Sequence, residues 1–222
     1  MAGPLSAQAE ELSAPVLIKL ILIVAGRCES AGAGFGAAGG AIMEEMKLKG
    51  KKIAILTSEM YEDLELWYPY FRLQEEGAKI EIISMLESPL DILGRHYYLL
   101  KTDKSAKEAR AEDYAALIIP GGYAPDLLRR NEDVLQFVSK FFQQKKPVGA
   151  ECQGLLVLAA ANLLEARKAT AKANVQEEIK KYSREKVQWQ DRDVVVDGNL
   201  ITSRTKHALP TFSRELIKSL GG

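Results

Sequence analysis

An α/β fold with a mainly parallel sheet is predicted by three features of residues 51–222. Short apolar segments alternate with segments of helical periodicity. The first of these form a strand–helix–strand unit over residues 52–56, 64–76 and 79–84, which predicts parallel strands joined by a right-handed crossover. Turn residues close later apolar segments. We therefore expect an open sheet with helices on both faces.

The remaining segments continue this alternation. Strands are expected at residues 97–100, 115–119, 147–150, 194–196 and 200–202, and helices at residues 131–144, 154–164, 175–182 and 209–220. The helix over residues 64–76 has an apolar stripe and is predicted to end at Gly77. The stripe consists of Leu64, Trp67, Tyr68, Phe71 and Leu73. Asp197-Gly198-Asn199 predicts a hairpin between the last two strands.

Residues 1–50 differ in character from the rest. The apolar run at residues 15–26 is too short to span a bilayer comfortably. It resembles the core of a secretory signal, but Glu10 and Glu11 precede it where positive charge is required. Residues 30–41 are almost all glycine and alanine, as in a flexible linker. We expect a disordered extension followed by one domain.

Charge and cysteine content exclude several classes of function. The 222 residues include 30 basic and 30 acidic ones, so the formal net charge is zero. No global positive field is available for nucleic acid or an anionic membrane, and neither is expected as a partner. Cys28 and Cys152 are interpreted as free thiols in a reducing, cytoplasmic compartment. His96 and His207 are far apart in the sequence, and neither a metal nor another cofactor is expected.

A sharp turn that carries a thiol joins a predicted strand to an apolar helix at residues 147–154. Cys152 at this turn is typical of a nucleophile elbow, in which the side chain is pushed out above the sheet. Gly154 lets the helix begin close to the strand, and the positive end of the helix dipole favours a thiolate. From these residues alone, a small buried hydrophobic side chain is an equally good interpretation of Cys152.

A glycine pair follows another predicted strand. Gly121 and Gly122 expose backbone N–H groups that can bind an anion or a developing oxyanion. A plain turn is the alternative interpretation of the pair. Asp126, a few residues later, is interpreted as a cap of the next helix.

Four carboxylates lie within residues 59–65. Glu62 and Asp63 fit a solvated helix start, where the helix dipole favours negative charge. Glu65 falls inside the apolar stripe. We therefore expect Glu65 to be buried, with a raised pKa and a need for a partner.

Taken together, these motifs resemble the ThiJ/PfpI family, which includes PfpI-type intracellular proteases and the parkinsonism-associated deglycase. The matching segments are residues 61–70, 119–125, 146–154 and 194–204. No single motif is specific, but their order is, and the resemblance covers essentially all of residues 51–222. It implies a flavodoxin-like three-layer sandwich with a nucleophile-elbow cysteine. It also implies a homo-oligomer, either a dimer or a hexamer.

The resemblance also assigns roles to individual residues. It implies that Cys152 is the nucleophile and that a protonated Glu65 contacts its sulfur. Asp126 matches an acidic residue that joins the site of a neighbouring subunit. The backbone N–H groups of Gly122 and Gln153 match the oxyanion donors.

Several residues depart from the family pattern. Gln153 stands where PfpI-type members carry a histidine base, and an amide cannot accept a proton at neutral pH. His96 and His207 have no motif support as substitutes. Glu151 adds a carboxylate that is expected to oppose thiolate formation. Residues 170–173, Thr-Ala-Lys-Ala, replace a Ser/Thr-Tyr/His-Pro pattern.

Three functions remain open from the sequence. The first is cysteine-dependent chemistry on a small-molecule carbonyl compound, of the glyoxalase or deglycase type, or PfpI-type hydrolysis of a peptide. The second is a redox-responsive stress protein in which Cys152 is oxidised to a sulfinate beside Glu65. The third is a degenerate family member that serves as a structural or binding subunit.

Overall fold

A computed structural model describes residues 46–184 and 186–221. The strands are β1 (Lys52–Leu56), β2 (Lys79–Ser84), β3 (Asp91–Leu93), β4 (Leu99–Lys101), β5 (Lys104–Ser105), β6 (Ala116–Ile119), β7 (Val148–Glu151), β8 (Lys168–Ala169), β9 (Gln188–Trp189), β10 (Val194–Asp197) and β11 (Leu200–Ser203). The helices are α1 (Asp63–Glu75), α2 (Ala124–Leu128), α3 (Glu132–Gln143), α4 (Leu155–Ala160), α5 (Ala173–Tyr182) and α6 (Leu209–Ser219). Short 3₁₀ turns lie at Ala111–Asp113, Cys152–Gly154 and Lys206–Ala208.

Seven strands form one sheet in the order β10-β11-β7-β6-β1-β2-β5. All neighbours in it are parallel except β10, which pairs antiparallel with β11 through the predicted hairpin. The pairs β3–β4 and β8–β9 form two small sheets of their own. The prediction of a mainly parallel sheet is confirmed.

Apolar side chains form one cluster on each face of the main sheet. On one face, helices α2 to α5 pack over Leu117 and Val148. On the other face, α1 and α6 cover Ile53 and Ile118. Leu117 and Ile118 are neighbours on β6 and point to opposite faces, as strand geometry requires. The fold is therefore a three-layer α/β sandwich, as predicted.

Helix α1 forms where it is predicted, but the predicted buried stripe is wrong. Leu64, Tyr68 and Phe71 are exposed, and of the stripe only Leu73 is fully buried. The face against the sheet is made by Asp63, Glu65, Leu66, Pro69 and Leu73. Polar contacts at its first turn set the rotation of the helix, and they bury Glu65 instead of the aromatic face. The residues Leu64, Trp67, Tyr68 and Phe71 are called the aromatic face below.

Two other predicted elements have different bounds. The apolar helix expected over residues 154–164 is only the six residues of α4, because Asn162 takes a left-handed conformation with φ +55° and turns the chain. The strand expected over residues 97–100 begins at Leu99, since Tyr97 has φ +66° in the turn between β3 and β4. Both changes are local backbone reversals that apolar periodicity does not reveal.

Residues just before Lys51, the predicted start of the domain, also pack against it. Leu48 is fully buried, and its N–H donates to the carbonyl of Glu76 at 2.8 Å, just after α1. Residues 46–50 therefore pack as part of the domain. The predicted disordered extension and the signal-like run at residues 15–26 lie outside the described residues. Within those that are described, no helix is long and apolar enough to cross a membrane.

Candidate active site

The turn after β7 holds its cysteine in a strained backbone conformation. Cys152 has φ +49°, in the left-handed region that side chains other than glycine rarely adopt. Gly154 follows, and a Cβ there would lie 2.2 Å from the carbonyl oxygen of Ile119. Glycine is therefore required for the chain to turn against β6. Strand, sharp turn and helix with a strained nucleophile residue define a nucleophile elbow, as predicted.

A cavity of about 180 Å³ opens at the elbow, at the carboxyl edge of the sheet. It is lined by Glu62, Glu65, Arg95, Cys152, Gln153, Lys172, Thr205, Lys206 and His207. These residues come from the start of α1, the β3–β4 turn, the elbow, the start of α5 and the turn between β11 and α6. The fold thus brings Cys152, Glu65 and Gln153 together, as predicted from the edge rule for parallel sheets.

The thiol of Cys152 is nearly enclosed. Only 5% of the residue is exposed, and Sγ donates to Oε1 of Gln153 at 2.8 Å. Burial raises the pKa of the thiol to about 12, and the charge of Glu65 adds to this. Lys172 and the N–H of Gln153 oppose the rise. The expected help from a helix dipole is outweighed, because α4 is short and the sulfur is desolvated.

Glu65 is buried beside the elbow. Its Oε2 accepts a hydrogen bond from the N–H of Gly121 at 2.8 Å. A Cβ on Gly121 would lie 2.5 Å from that oxygen and 3.1 Å from Cβ of Cys152, so the glycine makes room for the acid. Burial raises the pKa of Glu65 to about 7, although the Gly121 N–H lowers it. Burial and a raised pKa are what the sequence predicts.

The glycine pair is joined to the loop that follows β1. Gly122 has φ +88°, and a Cβ there would lie 2.4 Å from the backbone nitrogen of Glu62. The N–H of Glu62 donates to the carbonyl of Gly121 at 3.1 Å. The N–H of Gly121 already donates to Glu65, so it is not available as an oxyanion donor. The role of oxyanion donor stays a prediction for Gly122 and Gln153.

Asp126 lies outside the cavity. It is the third residue of α2 and not its cap, which is Tyr123. Its carboxylate accepts hydrogen bonds from Arg129 and, at 2.7 Å, from Arg130. The cap interpretation is therefore wrong. Its implied role in a neighbouring subunit's site stays a prediction.

The interpretation of Glu62 and Asp63 as a solvated helix start is also wrong. Both side chains are buried. Arg95 donates to Glu62 at 2.9 Å, and Nδ1 of His96 lies 2.8 Å from Oδ2 of Asp63. Their partners come from the β3–β4 turn, more than thirty residues later, and pairing lets the carboxylates be buried. No local signal marks this contact.

Glu151 lies at the end of β7 and is fully buried. Its side chain is on the same face of the strand as Gly149, which lies against Phe212. Ser203 lies opposite on β11, but among the described residues neither carboxyl oxygen makes a hydrogen bond of normal geometry. Burial, and then the charge of Glu65, holds the pKa of Glu151 well above its usual range. Burial therefore favours the protonated form of Glu151. The expectation that its charge opposes thiolate formation stays a prediction.

Sequence reasoning missed the cationic lining of the cavity. Lys172 belongs to the segment that departs from the family pattern, and Lys206 and His207 follow β11 at the same edge of the sheet. The edge rule that selected Cys152 also applies to these residues. Arg95 had no such signal.

Over residues 46–184 and 186–221, no group of three or more His, Cys, Asp or Glu side chains is arranged to hold a metal ion.

The model of the DJ-1/PfpI family matches residues 51–219. The chain belongs to the DJ-1/PfpI family. The deglycase PfpI of Pyrococcus furiosus is 38% identical over 169 residues, which are 76% of this chain and 99% of that protein. A deglycase of Pyrococcus horikoshii is 37% identical over the same shares of the two chains.

Solved structures agree with this membership. A crystal structure of an Anabaena variabilis protein with DJ-1/ThiJ/PfpI-like and ferritin-like domains is similar, with a TM-score of 0.72 and 32% identity. The similarity covers 77% of this chain and 48% of that one, whose second domain has no counterpart in the matched region. The flavodoxin-like sandwich of the DJ-1/PfpI family is thereby confirmed for this chain.

Replacing Glu151 with leucine should stabilise the domain more as the pH rises. The pKa of Glu151 is higher in the folded state than in the unfolded state. The contribution of this side chain to the free energy of unfolding is therefore full below the unfolded-state pKa and is lost as the pH rises toward the folded-state pKa. Relative to wild type, Glu151→Leu should gain about 1.4 kcal/mol of unfolding free energy per pH unit over that window. Urea unfolding at several pH values measures this.

Glu65→Gln is the matched control for that series. Its gain should level off near pH 7, because the folded-state pKa of Glu65 is about 7. A difference between Glu151→Leu and wild type that does not change from about pH 5 to about pH 8 would show that Glu151 is already ionised.

Alkylation of Cys152 by iodoacetamide should rise about tenfold per pH unit up to about pH 10, because its thiol pKa of about 12 lies above that range. Glu65→Gln should speed alkylation at about pH 9, where Glu65 is ionised and raises the thiol pKa. At about pH 5.5, where Glu65 is neutral, the variant should equal wild type. Glu132→Gln, at the exposed first residue of α3, should have no effect. A rate plateau near pH 8.5, the value of a free thiol, contradicts this account.

Proposed function

We propose that the chain is an enzyme in which Cys152 adds to the carbonyl group of a small substrate and Glu65 carries the proton. The observation that supports this most is a strained elbow thiol that shares a cavity with a buried acid whose pKa is about 7. A group with a pKa near the operating pH is well suited to general acid–base catalysis. We also propose a reducing, cytoplasmic location, which keeps the thiol in the form that this chemistry needs.

In the proposed step, a bond forms between Sγ of Cys152 and the carbonyl carbon, and the π electron pair moves to the carbonyl oxygen. The thiol proton passes to the carboxylate form of Glu65, which returns it to that oxygen. The product is a hemithioacetal or its ketone equivalent, and no net charge is created. Transfer of the proton during attack removes the need for a free thiolate, which a pKa of about 12 makes scarce. The N–H groups of Gly122 and Gln153 are the proposed oxyanion donors.

The size of the cavity favours a small substrate. Its volume of about 180 Å³ is below the roughly 300–1,000 Å³ of pockets that enclose drug-sized ligands. A two- to four-carbon carbonyl compound fits such a space. This agrees with the name deglycase carried by the two Pyrococcus relatives.

Peptide hydrolysis is less well supported. Gln153 occupies the position next to the nucleophile, and its Oε1 accepts the thiol hydrogen bond at 2.8 Å. An amide oxygen can hold that proton in a hydrogen bond but cannot remove it at neutral pH. A leaving amine would then lack its proton donor unless another group supplied one.

A redox role is the second candidate. Oxidation of cysteine depends on thiolate character and exposure, and Cys152 has little of either. The strained turn and the buried acid nevertheless agree with a sulfinate held by hydrogen bonds. A degenerate subunit without reactivity is the third reading, favoured by Gln153 and Lys172.

The test is turnover of a small dicarbonyl such as methylglyoxal. Cys152→Ala should abolish its consumption, since the carbon–sulfur bond cannot form. Glu65→Gln should lower the rate by about 10²- to 10⁴-fold, the usual contribution of general acid–base catalysis. Glu132→Gln, at the exposed first residue of α3, should match wild type. Loss of substrate and formation of product are followed together.

Three outcomes would overturn the enzyme proposal. Equal consumption by wild type and Cys152→Ala would remove the nucleophile. No turnover by wild type, combined with selective addition of two oxygens to Cys152 by mild peroxide, would favour the redox role. No turnover and no selective oxidation would favour the degenerate subunit.

We also propose that two copies associate through the aromatic face of α1. Phe71 is 58% exposed and stacks on Trp67 at 5.5 Å between ring centroids, so the face presents a contiguous apolar surface. Arg72 and Glu75 lie at its edge, 3.3 Å apart. A two-fold axis through the face would bring the arginine of each copy toward the glutamate of the other, as a self-complementary interface requires.

Phe71→Glu should convert a dimer to a monomer, because a charge would be buried in the apolar contact. Light scattering over a range of protein concentrations measures the mass. Leu86→Glu, at an exposed apolar position after β2 and outside the aromatic face, is the control for a general effect of the added charge. A wild-type chain that is monomeric at every concentration, or a Phe71 variant that stays dimeric, contradicts this interface.

A further inference from the structure

We propose that the Cys152 cavity selects carbonyl compounds that carry a carboxylate, such as 2-oxo acids, and that Lys172 and Lys206 hold the carboxylate. This inference rests on the proposed function, because it names the class of substrate that Cys152 would attack. It arises from the charges that line the cavity, which neither the elbow nor the glycine pair explains.

Positive charge exceeds negative charge around the cavity. Arg95, Lys172 and Lys206 line it, and so do two carboxyl groups, of which Glu62 is ion-paired with Arg95 and Lys206. Arg95 and Lys206 share Glu62, at 2.9 and 3.7 Å. Glu65 is the other carboxyl group, and with a pKa of about 7 it is only partly ionised at neutral pH. An anion would therefore enter a net positive site.

Lys172 is the cation that is not neutralised within the fold. Among the described residues, no carboxylate lies within ion-pair distance of its ammonium group, whereas Arg95 and Lys206 both reach Glu62. Its charge lowers the pKa of both Cys152 and Glu65, so it acts on the two groups that would do the chemistry. A carboxylate held by Lys172 would place the adjacent carbonyl carbon near Sγ.

The two lysines reach the cavity from different elements. Lys172 immediately precedes α5, whose N-terminus adds partial positive charge. Lys206 begins the 3₁₀ turn before α6. His207, in the same turn, also lines the cavity and adds positive charge when protonated. Two separate backbone positions thus direct cations at one small space that contains the thiol.

The decisive experiment compares two alkylating agents of the same size and mechanism. Iodoacetate is anionic and iodoacetamide is neutral, and both react with the same thiolate of Cys152. The ratio of their rates therefore cancels the thiol pKa and reports only the preference for negative charge. It is measured at about pH 6.5, where Glu65 is mostly protonated, with N-acetylcysteine as the free-thiol reference.

The wild-type ratio of iodoacetate to iodoacetamide rates should exceed that of the free thiol by about tenfold at low salt. Lys172→Gln and Lys206→Gln should each lower it about threefold, and added salt should lower it as well. Lys180→Gln, on α5 but outside the cavity, should leave the ratio unchanged. A wild-type ratio equal to that of the free thiol, or one that Lys172→Gln and Lys206→Gln do not change, would overturn the inference.

A second measurement separates this inference from the proposed function. The kcat/KM for glyoxylate, an anionic aldehyde, is compared with that for neutral glyoxal, and both lysine variants should lose the preference for glyoxylate. Alkylation needs no turnover, so a chain that consumes neither aldehyde but prefers iodoacetate would refute the enzyme proposal and support the anion site. Turnover with equal kcat/KM for both aldehydes, together with no preference for iodoacetate, would support the enzyme proposal and refute the anion site.

Discussion

The close approach of three chain segments at the end of β7 is the constraint on which the site depends. Gly154 lies against the carbonyl of Ile119, and Gly121 leaves space between Cys152 and Glu65. No side chain larger than hydrogen fits either position without displacement of backbone or of the acid. The left-handed conformation of Cys152 is the result, and it directs the sulfur toward the cavity instead of into the apolar layer.

Burial and charge act in opposite directions on this sulfur. The enclosure that positions the thiol also raises its pKa, and the same enclosure raises the pKa of Glu65 and Glu151. The cations at the mouth of the cavity partly offset this effect. The site is therefore best described as a protonated thiol beside an acid of nearly neutral pKa. Chemistry there depends on moving a proton at the moment of attack.

The sequence predicts the sheet and the elbow because both have local signatures. Apolar segments of strand length, the turn at Cys152 and the glycine pair are each visible within ten residues. The rotation of α1 is not, because it depends on Arg95 and His96, which contact Glu62 and Asp63 from a distant turn. The raised pKa of Glu151 also depends on tertiary burial.

Leu48 has a consequence for where the folded unit starts. Its side chain is fully enclosed, and its N–H caps the carbonyl of Glu76 after α1. Residues 46–50 therefore pack at the amino edge of the sheet, opposite the elbow. A shortened version of the protein that keeps the whole sheet but begins at Lys51 would expose to water the surface that Leu48 covers.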